Sequence, residues 1–294
     1  MPLHPNNKHK NGYNLELLCK ENPTLTPYVF INKYETQTLD FANSKAVKAL
    51  NTALLKTHYQ INFWKFPDDN LCPPIPGRVD YIHHLAALLK PFKNKQLNIL
   101  DIGTGATCIY PLLGVQEYRW NFVATDVDEN SIKNAQQIID KNNLNDSIQL
   151  RLQTNVESIL ENSITPTDKF DACMCNPPFF NSQEDAKKAT VRKLKGLGKA
   201  NEYNRNFSGT QNELSYKGGE KAFLHNYLYQ SSLFKIQCFW FTSLVSKKEN
   251  IRPMKVSLKK LGATAIKVIK MEQGNKITRF IAWTFLTTNE QENW

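Results

Sequence analysis

The segment LNILDIGTGA, residues 97–106, runs an apolar stretch straight into two glycines one residue apart. A short run this apolar reads as a strand covered on both faces, the kind found in parallel sheets. Gly103 and Gly105 then mark the turn into a helix expected to start near Gly105. From Gln96 onward the chain repeats this alternation. WNFVATDV (120–127) is a second strand, followed by ENSIKNAQQIIDKNN (129–143), which sets Ile132, Ala135, Ile138 and Ile139 on one helical face. SIQLRLQ (147–153) and FDACMCN (170–176) are the third and fourth strands. A helix through 220–233, the strand IQCFWFTSLVS (236–246) and a helix over 250–262 follow. The last two strands, TAIKVIKM (264–271) and TRFIAWTFL (278–286), flank EQGNK, a turn-like link between antiparallel neighbours. The pattern predicts an α/β fold, a doubly wound, mostly parallel seven-stranded sheet with a C-terminal antiparallel hairpin at one edge.

Upstream the texture differs. The first 40 residues are polar, with scattered apolar anchors at Leu15, Leu17, Leu18, Val29 and Phe30. KAVKALNTALLKTHY (45–59) repeats apolar residues at Val47, Leu50 and Leu54 behind two candidate N-caps, Asn43 and Ser44. CPPIPGRVDYIHHLAALL (72–89) is a proline-stiffened loop feeding a second helix. Residues 1–95 are therefore expected to form a helical extension, and 96–294 the main domain.

The 294 residues, 41% of them hydrophobic, suit a globule with a sizeable core. No apolar run approaches the roughly 20 residues of a membrane span, and the first residues lack a secretory apolar stretch. Six scattered cysteines do not form a disulfide framework, which points to the cytoplasm. The net charge is +10. Between Lys187 and Lys217 stand eight basic residues (Lys187, Lys188, Arg192, Lys193, Lys195, Lys199, Arg205 and Lys217) against Glu202 and Glu213, which is six of those ten charges. A segment this basic, with little apolar content, is expected to be a mobile insertion at about 187–217 that meets a polyanion.

Ligands of open α/β sheets bind outside the carboxyl ends of the strands, where the strand order reverses. Gly103 and Gly105 lie at such an end and allow close backbone approach, although a GxG also serves a plain strand–helix turn. The third glycine of a dinucleotide fingerprint is replaced by Cys108, which argues against a pyrophosphate-bearing cofactor. Asp126 ends the second strand about 20 residues later, where a carboxylate accepts two ribose hydroxyls; it could also be a cap, a role that suits Asp128 better. Asp101, inside its strand, is expected to orient the glycine turn or meet an ammonium. Ribose acid and glycine turn without a phosphate site suit S-adenosylmethionine.

The fourth strand stops at NPPF, residues 176–179, because neither proline can continue a ladder. The Asn176 side-chain carbonyl and the Pro177 backbone carbonyl can converge on one –NH₂ group whose lone pair is delocalised into a planar system. Accepting both N–H bonds steers that nitrogen toward a tetrahedral shape and stabilises positive charge as a methyl group arrives. Phe179 would stack on the planar group, and Pro177 and Pro178 would keep the acceptors fixed.

These motifs resemble the class I amino-methyltransferases, and more closely the RlmF-type 23S rRNA adenine-N6 methyltransferases. The resemblance extends to LHPNNKHKNGYNLELL (3–18), LDFANSKAVKALNTALL (39–55), CPPIPGRVDYIHHLA (72–86), KGGEKAFL (217–224) and QGNKITRFIAWTF (273–285), nearly the whole chain. It implies a Rossmann-like fold, S-adenosylmethionine as cofactor, and 23S rRNA or a large-subunit assembly intermediate as partner of a monomer. It assigns Asn176, Pro177, Pro178 and Phe179 to the target base, and Gly103, Gly105, Asp126 and Arg78 to the cofactor. Asn155, after the third strand, falls where such enzymes contact the cofactor adenine, although many carry an acid there. Cys173 and Cys175 read as core, without zinc spacing. His83 and His84 read as packing or RNA contact. The NPP core alone would also serve a protein glutamine-amide methyltransferase, and the fold alone a non-catalytic RNA-binding protein.

Overall fold

The computed structural model describes residues 3–92, 95–182, 184–185, 215–273 and 276–294. The chain opens with helix α1 (Leu15–Glu21), a small antiparallel sheet of β1 (Val29–Ile31) and β2 (Gln37–Leu39), and helices α2 (Ser44–Tyr59) and α3 (Ile75–Leu88). Of the two cap candidates before α2, Asn43 is the cap, its side chain accepting from the N–H groups of Lys45 and Ala46. The β1–β2 sheet is not foreshadowed in the sequence, since three-residue strands are too short to show a period.

The alternating region forms β3 (Asn98–Ile102), α4 (Ile109–Tyr118), β4 (Asn121–Asp126), α5 (Glu129–Lys141), β5 (Ile148–Leu152), β6 (Phe170–Cys175), α6 (Gly219–Ser231), β7 (Cys238–Leu244), α7 (Ile251–Leu261), β8 (Ala265–Gln273), β9 (Lys276–Thr284) and α8 (Thr288–Glu292). Seven strands make one sheet in the order β5-β4-β3-β6-β7-β9-β8. The first five pair in parallel, and β9 runs antiparallel to both β7 and β8, as the alternation predicted. The helix after the glycines starts at Ile109 rather than near Gly105. Gly103, Gly105 and Cys108 all have positive φ (74°, 65° and 48°), which holds the chain out of the helix for one more loop.

Alternate residues of the central strands enter two cores. Ile99, Ala172, Met174 and Trp240 face one side, where Leu50, Leu54, Val79 and Ile82 of the N-terminal segment pack on them together with Leu112 and Ile138. Leu100, Cys173, Cys175 and Phe241 face the other, under Leu224 and Leu228 of α6 and Met254 and Leu258 of α7. The segment before β3 thus shares its core with the sheet. A buried hydrogen bond between Tyr81 and Thr242 hydroxyls, 2.6 Å, pins α3 to β7. Truncating Leu54, fully buried, is expected to cost about 2–5 kcal/mol.

Candidate active site

The strand order reverses at β3, with β4 on one side and β6 on the other. Around their carboxyl ends lies an open cleft of about 1150 Å³, its solvent-filled mouth included. Gly103, Gly105, Asp126, Asn176, Pro178 and Arg78 all line it. The glycine turn is held from below, the N–H groups of Gly103 and Thr104 both donating to the Thr125 carbonyl at 2.9 Å. A Cβ on Gly103 would meet no protein atom within 4 Å, so glycine is required there by φ, not by crowding.

Asp126 is tied to that turn. Its Oδ2 accepts from Gly105 N–H at 2.8 Å and its Oδ1 from Asp128 N–H at 2.9 Å. Asp128, not Asp126, caps α5 by accepting from Ser131 N–H at 2.8 Å. Asp126 is therefore held in place on the cleft lining by the backbone of the glycine turn and of the next helix start.

Asp101 is 1% exposed and not on the cleft lining, and among the described residues neither carboxylate oxygen makes a well-aligned hydrogen bond, the Thr104 hydroxyl lying near but poorly placed. Burial pushes its pKa up from 3.8 to about 7; the Thr104 hydroxyl opposes the rise, the Asp126 charge adds to it, and Arg78 opposes it. Arg78 comes from the first turns of α3. Its Nη1 donates to the Tyr110 hydroxyl at 2.8 Å, while its Nε is buried without a partner among the described residues.

All six residues of β6 are buried, and Asn176 is the first residue beyond it. Its Oδ1 is buried with no hydrogen-bond partner among the described residues. Pro178 reaches the cleft, but Pro177 is buried behind it and the half-buried Phe179 is not on the lining.

Asn155 also departs from expectation. It is exposed, its side chain accepts from Glu157 N–H at 3.0 Å in a local turn, and Gln153, Val156 and Ser158 line the cleft instead. Sequence reasoning missed these three, together with Tyr110 and a wall made by Ser215, Tyr216 and Phe223. Lys187, Lys188, Arg192, Lys193, Lys195, Lys199 and Arg205 lie outside the described residues. The flanks of that segment are joined: Phe180 forms a parallel bridge with Ser215, and Asn181 Oδ1 accepts from Gly218 N–H at 2.7 Å. Glu220, in the first turn of α6, accepts from Ser246 N–H at 2.6 Å and Asn250 Nδ2 at 2.8 Å.

Away from the cleft, His83 is buried, bonded through Nδ1 to the Tyr118 hydroxyl at 2.7 Å and stacked on His4. Cys173 and Cys175 are buried free thiols, as the core reading requires. Among the described residues no group of three or more His, Cys, Asp or Glu could hold a metal, and no helix is long and apolar enough to cross a membrane.

A family profile described as RNA methyltransferase matches residues 1–287. Ribosomal RNA large subunit methyltransferase F of Shewanella woodyi is 44% identical, over 99% of this chain and 87% of that protein. The chain belongs to the methyltransferase F family. Among solved structures, the hMettl16 catalytic domain in complex with MAT2A 3'UTR hairpin 6 matches with a TM-score of 0.81 and 29% identity, covering 98% of this chain and 99% of that one. The N-terminal domain of human METTL16 in complex with SAH matches at 0.79 and 27%, covering 97% and 99%. This methyltransferase F homologue is thus a class I, S-adenosylmethionine-dependent RNA methyltransferase.

Proposed function

We propose that the protein methylates the exocyclic N6 amine of one adenine in 23S rRNA, with Asn176 as the residue that receives the amine. The reading is carried by the buried, unpartnered Oδ1 of Asn176 on the same cleft as the glycine turn and Asp126. A buried carbonyl oxygen without a donor costs about 1–3 kcal/mol, and an arriving N–H group relieves that cost.

The cleft also fits S-adenosylmethionine. Asp126 presents a strand-end carboxylate on the cleft for ribose hydroxyls, the glycine turn admits close backbone approach, and Arg78 brings a guanidinium for a carboxylate. Asp101, buried and without a well-aligned hydrogen bond among the described residues, supports a role in orienting the glycine turn or answering an ammonium. Contact with the adenine passes from Asn155 to Gln153, Val156 and Ser158.

S-adenosylmethionine, when bound, supplies an electrophilic methyl group. Asn176 Oδ1 accepts one amine N–H and the Pro177 carbonyl the other, drawing the nitrogen lone pair out of conjugation with the ring. Both acceptors would stabilise the positive charge that an amine nitrogen acquires on methylation. The surplus proton leaves to water, so no side-chain base is needed. The prolines keep the two acceptors in register.

In this reading residues 96–294 form the methyltransferase domain and 1–95 an extension at the mouth of the site. Lys187, Lys188, Arg192, Lys193, Lys195, Lys199 and Arg205 neutralise RNA phosphates. The substrate is 23S rRNA or a large-subunit assembly intermediate, engaged by a monomer in the cytoplasm. Labelled S-adenosylmethionine, offered with rRNA, ribosomal subunits and total protein and followed by nucleoside analysis, tests it. Label in N6-methyladenosine of large-subunit rRNA is expected. Label in a protein glutamine, or none at all, overturns the proposal.

A further inference from the structure

One wall of the cleft comes from Ser215 and Tyr216, just before α6, and from Phe223 inside it. Tyr216 has its backbone in one part of the site and its side chain in another. Its N–H donates to the Phe180 carbonyl at 3.0 Å, which ties the backbone to the turn that carries Asn176. Its hydroxyl accepts from Asn226 Nδ2 at 3.1 Å, and the same Nδ2 donates to the Glu157 carbonyl at 2.8 Å. Glu157 belongs to the loop after β5, from which Val156, Ser158 and Ile159 line the cleft. Gln230 fixes that loop to α6, accepting from Ile159 and Leu160 N–H groups at 2.8 and 2.9 Å. The Phe223 ring meets Tyr216 edge-on, with centroids 5.3 Å apart.

The phenol end therefore sits by the β5 loop. That loop adjoins Asp126, whose carbonyl accepts from Gln153 N–H at 2.8 Å. With ribose held at Asp126 on β4, the nucleobase of the cofactor lies toward β5, the next strand outward, while Asn176 and the target amine lie on the β6 side. An aromatic ring anchored over the β5 loop thus faces the cofactor's purine and not the substrate base. We propose that Tyr216 is a cofactor-binding residue whose ring covers the adenine of S-adenosylmethionine, and that Asn226 positions it. The proposal rests on the S-adenosylmethionine reading of the cleft.

Calorimetric titration with S-adenosylhomocysteine, which needs no turnover, tests it on the full chain. Stacking of a base on an aromatic ring accounts for a loss of roughly tenfold to a hundredfold in affinity when the ring is removed. Tyr216→Ala should show that loss. Tyr216→Phe, which keeps the ring, should stay within about threefold, and Asn226→Ala should fall between the two. RNA affinity without cofactor should be the same for all three. Thermal unfolding of the unliganded variants reports folding; should Tyr216→Ala fail to fold, Tyr216→Leu and Asn226→Ala carry the test. Folded Tyr216→Ala that binds as tightly as wild type overturns the proposal, as does an RNA-affinity loss with cofactor affinity kept. Wild-type protein that does not bind S-adenosylhomocysteine overturns the cofactor reading beneath it.

Discussion

The Gly105 amide donates to Asp126 Oδ2 at 2.8 Å, so the strand-end acid and the glycine turn are one structural unit. Removing the carboxylate should therefore cost twice, once in ligand hydrogen bonds and once in the order of the turn. Asp126→Ala is expected to weaken S-adenosylhomocysteine binding by about 1.5–3 kcal/mol, the range for hydrogen bonds to a charged acceptor. Asp126→Asn, which keeps one carbonyl oxygen, should lose less. Calorimetry decides, and unchanged affinity in the alanine variant rejects the ribose role.

Asn176 sits past the end of a fully buried strand, so shortening its side chain disturbs little else. Asn176→Ala should keep cofactor affinity and lower turnover by on the order of 10²–10³, the usual loss for one preorganised transition-state contact. Single-turnover kinetics with rRNA measure it. A rate within a few-fold of wild type removes Asn176 from the chemistry.

The N-terminal segment carries an acid-sensitive contact. Burial, then repulsion from His58, Lys8 and His83 when they are protonated, lower the His9 pKa from 6.5 to about 4, and its Nε2 pairs with the Tyr59 hydroxyl at 2.8 Å. His83 is likewise lowered to about 4, chiefly by burial. Between pH 6.5 and 4 the unfolded chain binds more protons than the fold, so these rings make stability fall as pH falls. His9 alone contributes up to about 1.4 kcal/mol per pH unit in that window. Asp101 works in the opposite sense. Its folded pKa of about 7 lies above the unfolded 3.8, so it lowers stability as pH rises through that interval. Urea unfolding at several pH values should show His9→Gln flattening the acid limb. Asp101→Asn should gain on wild type as pH climbs from 4 to 7. Parallel curves for each variant and wild type would refute these assignments.

The basic stretch makes a salt-dependent prediction. Removing one side chain that neutralises a phosphate should reduce the salt slope of RNA binding by about 0.7–0.9. Changing Arg192, Lys193 and Lys195 together to alanine should flatten it by roughly two to three units and weaken RNA binding, with cofactor affinity unaltered. Filter binding at several salt concentrations reads both quantities. An unchanged slope rules out phosphate neutralisation by these three side chains.

Legibility in the sequence followed the range of the interactions. Strands β3 and β6 were readable because burial on both faces forces apolar runs, and the glycine turn because positive φ selects glycine. The choice between Asp126 and Asp128 also followed from local position, strand end against helix start. What stayed hidden depends on partners distant in the chain. Nothing local to Tyr216 announces a cleft wall, since its place is set by Phe180 and Asn226. The same holds for Glu220, whose partners Ser246 and Asn250 lie far along the chain. Asn155 misled in the other direction, because a side chain free to bond its own loop does so.

Phe180 and Ser215 are 35 positions apart in sequence yet share one bridge, with Asn181 and Gly218 bonded beside it. The two flanks of the intervening stretch are thus clasped to one another beside the site. Asn176 lies four residues upstream of that bridge. That clasp fixes the spacing between the turn after β6 and the start of α6, two pieces of chain that both line the cleft, and so works as a gauge for its width.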